Sequence, residues 1–229
     1  MGATDLTRRD NFVWMLYALI LLLFSGATVE QLQLDNAYTL INLSLTLTLL
    51  VAVWSMEKNR GWLHSRLGLS LVIAGIALGD YFLESAGFEL IHVGFILTFL
   101  VVTLVLAARQ VLFSGVVDGN KIVGAICIFI LMGLVWAFSY LLVEMLFPGS
   151  MSGFPSDYWQ DNLQPAIYYS FVTLTTLGYG EITPVQPLAR FLAYSESLTG
   201  QFYIAILVAS LIGIRLSSIK PGTRLEDED

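Results

Sequence analysis

The sequence predicts an all-α polytopic membrane protein with six transmembrane helices and a short re-entrant helix between the fifth and the sixth. Of its 229 residues, 56% are hydrophobic and 13% are charged, and a mean hydropathy of +0.75 is unusual for a soluble domain. Apolar runs of about 20 residues, the length of one helical crossing, recur along the chain. The net charge of −7 argues against a nucleic-acid partner, which would need a basic surface.

Six apolar runs have the length of spanning helices. They cover Asn11–Val29, Ala37–Met56, Leu67–Leu83, Glu89–Leu112, Lys121–Phe147 and Leu188–Arg215. The first run also has features of a signal peptide, with arginines before it and small residues after it. Because it is long enough to span, we expect it to be a helix of the mature protein.

The placement of basic residues predicts the orientation of the chain. Lysine and arginine cluster at the start, in alternate connectors and after the last run: Arg8, Arg9, Lys58, Arg60, Arg66, Arg109, Lys121, Arg215, Lys220 and Arg224. The other connectors carry acids, apart from Arg190 at the outer start of the last run. We therefore expect a multi-pass protein of the cell membrane with both termini in the cytoplasm. The polar segment after the fifth run then enters the membrane from outside.

Leu163–Thr175 is apolar but too short to cross the bilayer, so we expect it to enter and return as a re-entrant helix. Asp161 or Asn162 can cap its amino end, and Pro165 suits a first helical turn. Its carboxyl end, with partial negative charge, would point toward the middle of the membrane and favour a cation there.

The residues that follow, Thr176-Leu177-Gly178-Tyr179-Gly180, have a backbone suited to coordination. Glycine adopts positive φ at little cost, so alternating it with other residues lets successive carbonyls point the same way. A ladder of such oxygens can replace the hydration shell of a cation. One strand supplies only part of a ring, which requires several chains around an axis.

This stretch closely resembles the selectivity filter of tetrameric potassium channels. The resemblance covers Lys121 to Ile214 and implies an outer helix, a re-entrant pore helix, a filter and an inner helix. It implies that the backbone carbonyls of Thr176, Leu177, Gly178 and Tyr179 bind dehydrated K⁺, with the Thr176 hydroxyl at the cavity end. Gly180 completes the filter.

The resemblance also implies supporting residues. Thr175 precedes the filter, and Tyr168 and Tyr169 match aromatics that brace it, or else belong to an interfacial aromatic belt. Gly200 aligns with a hinge on the inner helix, with close helix packing as the alternative. The inner cavity would be lined by Gln201, Ile204, Val208 and Ile212.

Three positions depart from the family pattern. Glu181 replaces an aspartate, which is expected to alter its bracing of Tyr169. Val172 stands where some members carry a glutamate behind the filter, and Glu196 is expected to take over that role. Arg190 is expected to pair with Glu181 or Glu196.

The remaining segments divide the chain into three parts. We expect residues 1–115 to form a four-helix transmembrane domain, residues 116–216 to form the pore domain, and residues 217–229 to form a short cytoplasmic tail, with no cytosolic ligand-binding domain in this chain. The predicted fourth span has one arginine, Arg109, and lacks the arginine series that a voltage sensor needs. Asp80, Glu84 and His92 are interpreted as solvated outer ends, with a proton or divalent-ion sensor as the alternative.

These features predict a potassium-selective channel that conducts passively through a homotetrameric pore and is not steeply voltage-gated. Its partners would be membrane lipids and K⁺, the permeant ion, with no cofactor. A weakly selective cation channel is the first alternative. A K⁺ uptake transporter subunit is less consistent, because such chains carry four degenerate pore repeats. No catalytic motif is present, so we expect no enzymatic activity.

Overall fold

The long apolar runs form helices in the computed structural model, which describes residues 11–32, 48, 51, 86–112 and 119–218. Five helices and two short strands lie in these residues. They are α1 (Asn11–Leu32), α2 (Ala86–Leu112), α3 (Gly119–Leu146), β1 (Met151–Ser152), α4 (Trp159–Leu174), β2 (Thr183–Pro184) and α5 (Pro187–Ser218).

Three of these helices are long and apolar enough to cross a membrane. The qualifying stretches are Phe12–Val29, Gly87–Val111 and Asn120–Leu146, and they correspond to the first, fourth and fifth predicted spans. The chain is therefore a multi-pass membrane protein. Most of the second and third predicted spans, Ala37–Met56 and Leu67–Leu83, lies outside the described residues, so the count of six spans stays a prediction.

Helix α5 has 32 residues, starts one residue before the predicted span and runs three residues beyond it. At 1.5 Å per residue it is about 48 Å long, more than the hydrocarbon core requires. It carries more polar residues than the three apolar helices. The prediction of a long helix after the polar segment is confirmed, while its spanning of the membrane stays a prediction.

Helix α3 lies at the centre of the described structure and packs against α1, α2, α4 and α5. Where little water is available to drive burial, close van der Waals packing holds such helices together. The largest buried side chains of these helices are Met15, Leu19, Ile96, Leu131, Leu134, Phe138, Tyr140, Leu141, Trp159 and Leu163.

The segments before α4 and before α5 are joined by a two-stranded antiparallel ribbon. Met151 pairs with Pro184 and Ser152 with Thr183, and the Val185 N–H donates to the Ser150 carbonyl at 2.8 Å. Glu144 of α3 closes the turn before β1, because its carboxylate accepts the N–H groups of Gly149 at 2.7 Å and Met151 at 2.8 Å.

Helix α4 begins at Trp159, four residues before the predicted start at Leu163. The extra turn buries the Trp159 side chain, which is 1% exposed, against His92 of α2 and Phe138 of α3. Pro165 therefore lies inside the helix rather than in its first turn, and the prediction for its position was wrong.

The predicted capping of α4 by Asp161 or Asn162 was also wrong. The N-cap is Tyr158, which makes no side-chain cap hydrogen bond. Asn162 instead holds the preceding loop: its amide donates to the Ser156 carbonyl at 2.6 Å and its oxygen accepts the Ser156 N–H at 3.3 Å. With 16 residues, α4 is too short to cross the bilayer.

Candidate functional site

The chain leaves α4 through a hydrogen-bonded turn that ends the helix. The Thr176 N–H donates to the Thr173 carbonyl at 2.9 Å, and the Leu177 N–H donates to the Val172 carbonyl at 2.9 Å. Thr176 has φ +59°. This pattern is a Schellman motif, in which the residue after the cap adopts the left-handed conformation. Glycine usually fills that place, whereas here it is a β-branched threonine.

Beyond the turn, the sign of φ alternates along the backbone. Thr176 (φ +59°), Gly178 (φ +59°) and Gly180 (φ +92°) are positive, and Leu177 and Tyr179 between them are not. The positive φ expected at the two glycines is observed, and glycine adopts it without the steric cost of a Cβ. The positive φ of Thr176 was not anticipated.

The hydrogen bonds of this segment involve its N–H groups and leave its carbonyls available. Three successive N–H groups donate to α4, because Gly178 also bonds the Val172 carbonyl, at 3.2 Å. Within the part of the chain that the structure describes, the carbonyls of residues 176–180 accept no hydrogen bond. Residues 175–181 are all exposed in the single chain. The segment therefore presents several free oxygen acceptors.

At the start of the segment, Thr176 meets α5. The Gln201 amide donates to the Thr176 hydroxyl oxygen at 3.2 Å, and Gln201 and Ile204 are both exposed on α5. Val208 lies further along α5 and Ile212 follows it, but their side chains are outside the described residues. The preceding hydroxyl, of Thr175, donates back to the Phe171 carbonyl at 2.6 Å.

At the other end of the segment, Glu181 binds Tyr168. The Tyr168 hydroxyl donates to a Glu181 carboxylate oxygen, and this hydrogen bond raises the pKa of Tyr168 to about 12. Since the phenol keeps its proton, it remains the donor. Glu181 was expected to alter the bracing of Tyr169, and it bonds the neighbouring Tyr168 instead.

Tyr169, the next residue along α4, is 7% exposed. Its ring packs edge-on against Tyr140 of α3, with centroids 4.9 Å apart. Together with Val172 and Gly178, both tyrosines line a cavity of about 200 Å³ between α4 and the exposed segment. Val172 thus supplies an apolar wall where the resemblance would allow a carboxylate.

Glu196 of α5 is fully buried at the junction of three helices. One carboxyl oxygen lies 2.5 Å from the Ser170 hydroxyl of α4, and the other accepts the Tyr140 hydroxyl of α3 at 2.7 Å. Arg190 bonds the Pro184 carbonyl instead, at 3.3 Å. The predicted pairing of Arg190 with Glu181 or Glu196 was therefore wrong.

Gly200 lies where α5 passes the end of α4. A Cβ built on Gly200 would come within 2.1 Å of the Leu174 carbonyl oxygen. Helix α5 continues through this residue without a break. The geometry favours close packing, the alternative interpretation of this glycine, over a hinge.

Residues 126–215 match the family model described as an ion channel. This part of the chain is thus similar to an ion channel domain. Part of the chain is also 40% identical over 47 residues to a protein named two pore potassium channel c, from Oryza sativa subsp. japonica. That match covers 20% of this chain and only 10% of the relative. No solved structure matches the chain.

Ion channels of this family are not enzymes, so the match agrees with the prediction of no enzymatic activity for residues 126–215. The family generally forms oligomeric pores. The matched residues include all of α4, the exposed segment 175–181 and most of α3 and α5.

Sequence reasoning missed two residues that hold the site together, Ser170 and Tyr140, and misplaced a third, His92. Polar side chains inside apolar helices are costly and usually have partners, and this signal could have singled out Ser170 and Tyr140. His92, interpreted as a solvated outer end, is 1% exposed and packs edge-on against Trp159 at 5.4 Å. Asp80 and Glu84 lie outside the described residues.

Proposed function

We propose that this chain is the subunit of a potassium-selective channel that conducts passively through a homotetrameric pore. The observation that carries the proposal is the segment Thr176–Gly180, with its alternating sign of φ and its unbonded carbonyls. Backbone carbonyls in such a segment can replace the hydration shell of K⁺. The bound ions would contact Thr176, Leu177, Gly178 and Tyr179, with Gly180 closing the outer end.

The surroundings of the segment favour a cation. Helix α4 ends at Leu174, two residues before Thr176, and the carboxyl end of a helix carries partial negative charge. The Thr176 hydroxyl oxygen lies beside the first carbonyl as a further possible ligand for a cation. It accepts a hydrogen bond from the side-chain amide of Gln201. The likeness to a protein named as a potassium channel supports K⁺ as the ion.

The exposure of the segment supports assembly around an axis. Tyr179 is 68% exposed and Leu177 is 55% exposed in the single chain. Irregular backbone at membrane depth is tolerated only where protein buries it or where it lines a watery path. Four copies arranged around the conduction axis would satisfy both conditions, each contributing one strand of oxygens to a shared filter.

The rest of the chain would serve assembly and contact with lipid. Helix α2, the predicted fourth span, has one arginine in its last turn, Arg109. Moving one charge through 100 mV is worth about 2.3 kcal/mol, so steep voltage gating would need several more. We place the protein in the cell membrane with both termini in the cytoplasm, and we assign it K⁺ as permeant ion and no other cofactor.

The test is planar-bilayer recording of the purified protein with K⁺ on one side and Na⁺ on the other. We expect a reversal potential set by K⁺, and block by Ba²⁺ or a quaternary ammonium ion. Equal permeation of the two ions would contradict selectivity and leave a weakly selective cation channel. Flux that requires an energy source would indicate a transporter subunit.

A further inference from the structure

Glu196 joins the three helices that surround the back of the site. It lies on α5, and its two carboxyl oxygens contact Ser170 of α4 and Tyr140 of α3. Ser170 contacts α3 a second time, because its hydroxyl lies 2.7 Å from the Gly133 carbonyl. Glu196, Ser170 and Tyr140 are each 0% exposed, so no solvent is available to complete their hydrogen bonds.

The number of protons in this cluster decides the state of Glu196. A serine hydroxyl has one proton to donate, and a carbonyl can only accept. If Glu196 were a carboxylate, Ser170 would face two acceptors, at 2.5 Å and 2.7 Å, and could bond only one of them. If Glu196 is a carboxylic acid, it donates to Ser170, Ser170 donates to Gly133, and Tyr140 donates to the second carboxyl oxygen. Every short contact is then a hydrogen bond.

The charges around the cluster agree with a neutral acid. The titratable side chains that face Glu196 are Tyr140 from α3 and Tyr169 from α4. Arg190, on α5 itself, is bonded to the Pro184 carbonyl. In the described ranges no lysine, arginine or histidine bonds the Glu196 carboxyl. A buried carboxylate without a cationic partner is costly.

We propose that Glu196 is a neutral carboxylic acid whose proton bonds Ser170 and thereby positions α4 and the segment that follows it. Ser170 lies six residues before Thr176, on the helix that ends in the Schellman motif. A second contact, from the Ser197 hydroxyl to the Thr173 carbonyl at 3.4 Å, joins α5 to the last turn of α4. Glu196 is thus a positioning residue, and this functional part of the inference rests on the proposed channel function.

The proton itself can be observed by infrared difference spectroscopy of the purified protein. At neutral pH we expect a carbonyl stretch of a protonated carboxylic acid that is lost in Glu196→Gln. Asp157→Asn, which removes an exposed carboxylate outside the cluster, should leave that band unchanged. The absence of such a band, or its persistence in Glu196→Gln, would overturn the assignment.

A second variant covers the case in which Glu196→Gln does not fold. Ser170→Ala removes the acceptor of the proposed proton, so the acid band should shift to higher frequency. A band that does not move would show that the proton is not donated to Ser170.

The positioning role is tested by K⁺ flux into liposomes over a range of pH. The amide of Glu196→Gln can donate to Ser170 and accept from Tyr140 but cannot ionise. We expect alkaline pH to reduce wild-type flux reversibly, on the order of tenfold once the acid ionises, and to leave the flux of the Gln variant constant. If the K⁺ flux of the wild type and of Glu196→Gln changes with pH in the same way, Glu196 does not have the proposed positioning role.

The two readouts separate the inference from the channel proposal. The infrared band does not depend on conduction, so a protein that carries the band but does not select K⁺ contradicts the proposed function alone. A potassium-selective channel without the band contradicts the inference alone.

Discussion

Thr176 occupies a backbone conformation that its side chain disfavours. A β-branched residue at φ +59° is a genuine outlier, and the left-handed region costs such a residue about 1–2 kcal/mol. Threonine also supplies the hydroxyl oxygen that accepts from Gln201. Strain of this kind persists where the surrounding hydrogen bonds impose it, and here the three N–H bonds to α4 do so.

Two substitutions separate the strain at Thr176 from its hydroxyl. Thr176→Gly removes both and should raise the apparent melting temperature of the purified protein, because about 1 kcal/mol of strain is relieved. Thr176→Val keeps the strain and removes only the hydroxyl, so its melting temperature should not rise. If the Thr176 hydroxyl contacts the bound ion, Ba²⁺ should block the K⁺ current of both variants less strongly than that of the wild type. If Thr176→Gly is less stable than Thr176→Val, the claim that the backbone of Thr176 is strained is wrong.

Gly178 offers a sharper test of the segment. In the single chain, no atom beyond the adjacent residues lies within 4 Å of a Cβ built on it, so within that chain Gly178→Ala acts through its φ of +59°. We expect the variant to fold but to lose most of its preference for K⁺ over Na⁺ in bi-ionic recordings, because the carbonyls shift. Gly149→Ala is the matched control, with φ +80° and equally open surroundings before β1. Equal selectivity in the two variants would refute the role of Gly178.

At the level of elements, the order of helices around the site could be predicted from the sequence, but their contacts could not. The lengths of the apolar runs located α3, α4 and α5, and the spacing of Gly178 and Gly180 located the exposed segment. The start of α4 was missed because local signals, Pro165 and the Asp161–Asn162 pair, gave way to burial of Trp159. The Ser170–Glu196 contact joins residues 26 apart on different helices, and no periodicity within one element reveals it.

Gly200 determines how closely α5 approaches α4. Gly200→Ala would place a Cβ 2.1 Å from the Leu174 carbonyl oxygen, so the end of α4 must move. We expect a loss of stability of about 2 kcal/mol or more, as for overpacked cores, together with impaired K⁺ selectivity. Thermal unfolding in detergent and bi-ionic recording measure the two effects.

Gly94→Ala provides the control for this substitution. Gly94 lies in α2, and nothing lies within 4 Å of its added Cβ. Alanine is a better helix former than glycine by about 1 kcal/mol, so this variant should be as stable as the wild type or more so. If Gly200→Ala behaves like Gly94→Ala, the close approach of α5 to α4 is wrong.

For the whole molecule, the exposed surface indicates where other copies would pack. One face of α5 carries large exposed apolar side chains at helical spacing: Phe191, Tyr194, Leu198, Phe202 and Ile206. This face lies on the helix that follows the exposed segment. Exposed apolar surface also occurs on α1, for example at Leu21, where contact with lipid suffices.

The proposed tetramer has an expected mass, and it should be sensitive to substitutions on α5 but not on α1. Native mass spectrometry should give four times the 25.3 kDa of one chain. Leu198→Ala should lower the tetramer fraction at limiting protein concentration, because truncation opens a gap in helix packing. Leu21→Ala, at a similar exposure on α1, should not. A monomer or dimer in lipid nanodiscs, or equal sensitivity of the two variants, would contradict the assembly.

The ribbon of β1 and β2 fixes the carboxyl end of the exposed segment to α3. Only three residues separate Gly180 from Pro184, which pairs with Met151, and the Met151 N–H is in turn held by Glu144 of α3. The amino end is held separately, through the hydrogen bond from Gln201 of α5 to Thr176. The two ends of the segment are thus attached to two different helices. A displacement of α3 or α5 alone would change the distance between these attachments and distort the backbone between them.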